Sequence, residues 1–144
     1  MRATASKAAV RYNHSPSEAN EELSMVKHTV RFSVDLTINE GRFDAFAGIA
    51  QEMILRTQRE PGALGYDWCL SSDRRRCRIL ETYADSNAVL AHLTGPVVQE
   101  FVPKLLETSS LSRFEVYGNP GPKAAQMLAG VGAEIFELWQ GLSR

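Results

Sequence analysis

At 144 residues, 44% hydrophobic and with 16 basic against 17 acidic side chains, the chain has the size of one domain with its own core and carries a net charge of −1. That balance excludes the strong single-sign field that draws a protein to nucleic acid or to an anionic membrane. A small neutral or weakly charged ligand is the partner that fits.

No apolar run approaches the roughly 18 residues of a spanning helix, and the start of the chain lacks the apolar block of a secretory signal, so the expected location is the cytoplasm. The opening stretch carries Arg2, Lys7 and Arg11 before its first acid, Glu18, a composition shared with transit peptides. It has no sustained apolar face, and residues 1–24 are read as a flexible tail. Cys69 and Cys77 come without CxxC or His spacing, so neither a zinc site nor a redox motif is expected; the two flank a turn and are read as free thiols.

In chain order, "VKHTVRFSVDLTI" places Val30, Phe32, Val34, Leu36 and Ile38 on one parity, which predicts a half-buried strand. Phe43, Phe46, Ala47, Ala50, Met53, Ile54 and Thr57 then recur at helical spacing, with Asn39 as a candidate cap and Pro61-Gly62 as the stop. "ALGYDWCLSSD" and "RRRCRILETYA" read as a hairpin turning at Ser71-Ser72-Asp73, with Leu64, Tyr66, Trp68 and Leu70 on one parity. Asp85 and Ser86 are candidate caps for a short helix carrying Val89, Leu90 and Leu93; Gly95-Pro96 interrupts it before a second helical run that Pro103 kinks.

A last strand, "LSRFEVYG", completes the order strand, helix, strand, strand, helix, strand, the split βαβ pattern of a ferredoxin-like α+β domain over residues 25–118. Helices cover one face of such a sheet, and a homodimer packed sheet on sheet would bury the other. Residues 119–144 form a predicted helical arm, with Ala124, Leu128, Val131, Ile135, Leu138 and Leu142 on one face and Gly130 and Gly132 weakening it; it packs either on its own domain or on a partner subunit.

The segments "REPGALGYDW" and "ILETYADSNAVLAHLTGPVVQEF" resemble the antibiotic biosynthesis monooxygenase family, in which E-P-G-C-x-x-Y, L-x-E-x-Y/W-x-D/S and A-x-x-A-H recur. The resemblance spans roughly residues 25 to 118 and implies a dimeric α+β barrel of two ferredoxin-like protomers. It also implies oxidation of anthrone-like or quinol-like aromatics by molecular oxygen with no metal or flavin. A deprotonated phenolic substrate is electron-rich enough to meet oxygen itself, and the protein supplies a base, a pocket and desolvation. Other relatives isomerise small carbonyl compounds or have no established activity, so a non-catalytic small-molecule-binding or stress-associated barrel is the competing expectation. Relatives that degrade haem carry Asn, Trp and an iron-ligating His where this chain has Val34, Tyr83 and Val102, which disfavours haem.

Within this frame His92 is the candidate base, because its titration range suits proton transfer near neutral pH; its plainer role is a hydrogen-bonded helix histidine. Glu81 and Tyr83 share a strand face. Glu81 either orients His92 or pairs with an arginine, and Tyr83 is an acidic hydroxyl, a stacking wall or core. Tyr66 and Trp68 are candidate walls for a planar ligand, or core or dimer interface. Arg74, Arg75, Arg76 and Arg78 read as a solvated hairpin tip.

Overall fold

The alternation that begins at Val30 becomes strand β1, Val30–Ile38, whose five apolar residues of like parity are all buried while the intervening Arg31 and Thr37 are exposed. A computed structural model describes residues 28–142. The predicted tail, and Val26 and Lys27 of the predicted first strand, lie outside the described residues. Thr29–Trp139 form one compact unit, and among the described residues no helix is long and apolar enough to cross a membrane.

Helix α1, Phe43–Thr57, follows a turn in which Arg42 N–H donates to the Asn39 carbonyl (3.0 Å) and Gly41 takes a positive φ of 75°. Asn39 therefore shapes the turn through its backbone; its side chain does not cap the helix, whose first residue follows Arg42. Phe46, Ala50, Met53 and Thr57, spaced four, three and four apart, form its buried face.

The hairpin strands are β2, Ala63–Leu70, and β3, Arg76–Tyr83. Their turn is longer than three residues. Ser71 Oγ donates to Asp73 (2.7 Å) and accepts from Arg76 N–H (3.0 Å), while Arg74 adopts φ 58°. A bulge between Ala63 and Gly65 leaves Leu64 without a partner and 60% exposed, so it leaves the parity shared by Tyr66, Trp68 and Leu70. Arg74 lies over the Phe43 ring and Arg78 makes a two-pronged pair with Asp35 (2.6 and 3.0 Å), which occupies half of the arginine run locally.

Asp85 caps helix α2, Ser86–Thr94, by accepting the Ala88 N–H (2.8 Å). After Gly95-Pro96 a π-helical turn, Val97–Phe101, runs into α3, Val102–Thr108. The wide turn sits immediately before Pro103, whose ring would crowd the preceding turn and which has no N–H for an α-helical bond. Strand β4, Ser109–Tyr117, bulges opposite Asp35/Leu36, where Ser112 Oγ donates to the Asp35 carbonyl (3.0 Å).

The C-terminal part departs from a single long helix. Helix α4, Pro122–Gly130, stops where Gly132 takes φ 80°, and Glu134–Phe136 become β5, parallel to β4. Tyr117 and Phe136 stack across that new edge, with centroids 5.5 Å apart. Ala124 and Leu128 are buried in the chain's own core.

Among the described residues the sheet order is β2-β3-β1-β4-β5, antiparallel except for the last pair, with four α-helices and the π-helical turn: an α+β ferredoxin-like sheet extended by one strand. Side chains of one parity, such as Phe32, Val34, Ile79 and Val116, meet Phe46, Met53, Val89, Leu93 and Leu105 in one core. The opposite face shows Arg31, Asp35, Arg78 and Leu80.

Cys69 is exposed and pairs with Arg78, while Cys77 is buried on the core face opposite Leu70, so the two thiols do not face each other. Burial pushes the Cys77 thiol up to about 11, with the Cys69 and Asp35 charges adding to it. Iodoacetamide at neutral pH is expected to label the native protein at Cys69 and to reach Cys77 only after denaturation; peptide mass mapping reads the difference, and equal labelling would contradict this core assignment.

Candidate active site

After α1 ends, Glu60 N–H donates to the Thr57 carbonyl (2.9 Å) and the Glu60 carbonyl accepts from Ala63 N–H (3.1 Å), so Glu60-Pro61-Gly62 form the bend into β2. This bend lies directly on α2. A Cβ at Gly62 would stand 2.4 Å from the Ala88 Cβ, and the Gly62 carbonyl accepts from Ala84 N–H (2.9 Å). Only glycine permits that approach.

The approach brings Glu60 to His92, which α2 points into the core at 2% exposure. His92 Nδ1 is 3.0 and 3.1 Å from the two carboxylate oxygens of Glu60. Nδ1 is accordingly assigned as the donor, which leaves the lone pair on Nε2. Nε2 stands 3.6 Å from Glu81 Oε1, beyond hydrogen-bond reach. The carboxylate that holds His92 is thus Glu60, and Glu81 is its neighbour across the ring.

Glu81 is 6% exposed and accepts the hydroxyl of Tyr83 from the same face of β3. Burial holds the Glu81 carboxyl above the usual carboxylate range, against the opposing pull of His92 and the Tyr83 hydroxyl. Burial and the Glu81 charge push the Tyr83 phenol upward as well, so it stays protonated and donates; it is not an acidic hydroxyl. Tyr66 is raised chiefly by burial and then by Glu81, and its ring stands edge-on to His92 at 5.7 Å.

One pH effect follows directly. A carboxyl raised above its ordinary value of 4.5 keeps its proton in the native state while the unfolded chain gives its proton up, so stability falls as pH rises above about that value. Glu81→Gln lacks this fall. Its melting temperature relative to the parent is expected to increase between pH 4 and pH 7, and a constant difference would show that the raised carboxyl is misassigned.

His92, Glu81 and Tyr66 line a cavity of about 250 Å³ between the sheet and the helices, whose other walls are almost wholly apolar. Tyr83 and Trp68 are not on its wall. Tyr83 is fully buried behind His92 and Phe32, each ring 5.1 Å away, and Trp68 turns toward Phe46, with its Nε1 buried and without a hydrogen-bond partner among the described residues. Trp68 and Cys77 instead edge a larger groove of about 350 Å³ between α1 and β2, which holds no carboxylate or imidazole. The carboxylate and the imidazole line the smaller cavity.

Glu60 was legible in the "REPG" segment but carries no helical or strand periodicity that would link it to His92. Gln99, the α4 residues Met127 and Leu128, and Val131 just after that helix also line the cavity without any local signal for it.

Residues 29–104, more than half of the chain, match the model of the family described as antibiotic biosynthesis monooxygenase. Among solved structures the chain is similar to MupZ from Pseudomonas fluorescens, at 28% identity over 82% of this chain and 96% of that one, with a TM-score of 0.70. It shares its fold with SnoaB, a cofactor-independent oxygenase from Streptomyces nogalater, at 15% identity, 67% and 97% coverage and a TM-score of 0.58. It shares it also with Rv0793 from Mycobacterium tuberculosis, at 19% identity, 65% and 97% coverage and a TM-score of 0.58. No curated protein sequence matches it. With its family match, its sheet order and the conjunction of "REPG" with His92, the chain belongs to the antibiotic biosynthesis monooxygenase family.

Proposed function

We propose that this protein is a cofactor-independent monooxygenase acting on a quinol-like or polyphenolic aromatic. The observation that carries the reading is His92 itself: Nδ1 is anchored on Glu60, Nε2 has no hydrogen-bond partner among the described residues, and the side chain lines an apolar cavity. An imidazole so held is a general base for a substrate hydroxyl. Glu60 is the positioning residue, Glu81 a buried neighbour steadied by the Tyr83 hydroxyl, and Tyr66 a wall for the ring.

In the proposed reaction His92 removes the hydroxyl proton, and the electron-rich ring carbon forms a bond to molecular oxygen. The resulting peroxide loses water, so one oxygen atom stays on the ring as a carbonyl and the other leaves with the substrate's own hydrogens. Substrate electrons complete the balance and no external reductant enters. The dry walls keep the anion from water and strengthen its electrostatic contacts.

Oxygen uptake by chelator-treated protein against a panel of reduced quinols and anthrones tests this reading, with uptake above the spontaneous rate expected for at least part of the panel. A binding protein without turnover is the second reading. It is favoured by the fact that His92 with Glu60, and Glu81 with Tyr83, are already paired without a ligand. Ligand binding with no uptake across the panel is its signature.

The uncovered sheet face, with Leu80 44% exposed between Arg78 and Thr82, is proposed to meet the same face of a second copy. Light scattering is then expected to give about twice the chain mass of 16.0 kDa, and a mass of one chain at micromolar concentration would contradict the pairing.

A further inference from the structure

The cavity is polar at one end only. Tyr66, Glu81 and His92 stand where β2, β3 and α2 meet, whereas Val102, Leu105, Leu106, Leu111, Leu128 and Val131 build the other end from α3, β4, α4 and the residue following it. Gln99 lies on the wall too, but its amide is spent on the Leu93 carbonyl (2.8 Å). The apolar end opens outward: Leu106, Leu111, Met127 and Val131 are 44%, 38%, 38% and 55% exposed.

Size decides what fits. An engineered apolar cavity of about 150 Å³ holds benzene. By proportion, about 250 Å³ holds one ring and a few further carbons, and a tricyclic anthrone frame is too large. Position supports the same division, because all four residues of the opening lie beyond residue 104, where the family match ends. The reactive end belongs to the family segment, and the opening of the apolar end lies beyond it.

We propose that the substrate is a single hydroxylated ring bearing an alkyl chain, the ring against His92 and Tyr66 and the chain leaving along α3 and β4 under α4. This rests on the cavity being the substrate site, as in the proposed function. Met127, Leu128 and Val131 are then its specificity-determining residues.

Calorimetric titration of the full chain with hydroquinone and 2-alkylhydroquinones of increasing length, without oxygen, tests the proposal apart from turnover. Affinity is expected to rise about fourfold per methylene until the chain passes the opening, then to level off, and anthrone is expected to bind more weakly than butylhydroquinone. Val131→Trp and Met127→Trp change exposed positions and leave the core intact. Each is expected to weaken the alkylated ligands about tenfold while leaving hydroquinone unchanged. A flat chain-length series, anthrone binding as tightly as butylhydroquinone, or tryptophan variants that spare the alkylated ligands would each overturn it. Chain-dependent binding without oxygen uptake in air would uphold this inference and contradict the oxygenase reading, and uptake with a flat series would do the reverse.

Discussion

His92→Ala is expected to lower kcat by roughly 10²- to 10⁴-fold, the usual contribution of a positioned general base, while KM for the ring changes little. Removal of the imidazole deletes the only nitrogen base on the cavity wall among the described residues, whereas the apolar walls proposed to bind the ring remain. The fold should persist, because the carboxylate left behind, Glu60, has a side chain 25% exposed and retains access to water. Two further readouts separate chemistry from packing. Added imidazole should restore part of the rate in His92→Ala, and Glu60→Gln, whose amide oxygen still accepts from Nδ1, should lose less than His92→Ala. Steady-state kinetics with circular dichroism of each variant checks all three points; a fully active, folded His92→Ala would remove His92 from the mechanism.

Gly62→Ala is expected to cost stability and activity together. The new Cβ meets the Ala88 Cβ at 2.4 Å, a contact that neither backbone relieves without moving the bend away from α2. Overpacking of this kind typically costs about 1–3 kcal/mol. Because the same bend carries Glu60, the movement also lengthens the Glu60–His92 hydrogen bonds on which the imidazole's orientation depends. The compensating change is Ala88→Gly, which removes the clashing methyl. The double variant is expected to recover most of the lost activity even though a glycine inside α2 costs about 1 kcal/mol by itself. Chemical denaturation and turnover of the two single variants and the double variant check this; no recovery in the double variant would mean that the Gly62–Ala88 contact does not hold the site together.

Legibility in the sequence followed the range of the interactions. Strand β1 and the shared face of Ile79, Glu81 and Tyr83 were readable because alternation is a local property of the chain. Asp85 as a cap was readable for the same reason. Parity names a face but not the part of that face that helices leave open, which is why Tyr83 and Trp68 share the core side with Glu81 and Tyr66 and yet stand off the cavity wall. A single bulge moved Leu64 out of its expected row. Glu60 reaches His92 across 32 positions, from a bend to a helix, and no period records such a contact. The C-terminal glycines read only as weakening one helix through Leu142, and β5 exists because the open edge of β4 offers it hydrogen bonds, a tertiary cause invisible in the segment itself.

The central claim is that oxygen chemistry takes place at His92 without a bound helper group. Mass spectrometry of the product formed under labelled molecular oxygen by chelator-treated protein, run beside His92→Ala, tests it most directly. The account predicts one labelled oxygen atom per product molecule, one oxygen consumed per turnover, and loss of both signals in the variant above the spontaneous rate. A product that forms at the parent rate with its new oxygen drawn from water, or undiminished labelling in His92→Ala, would contradict it.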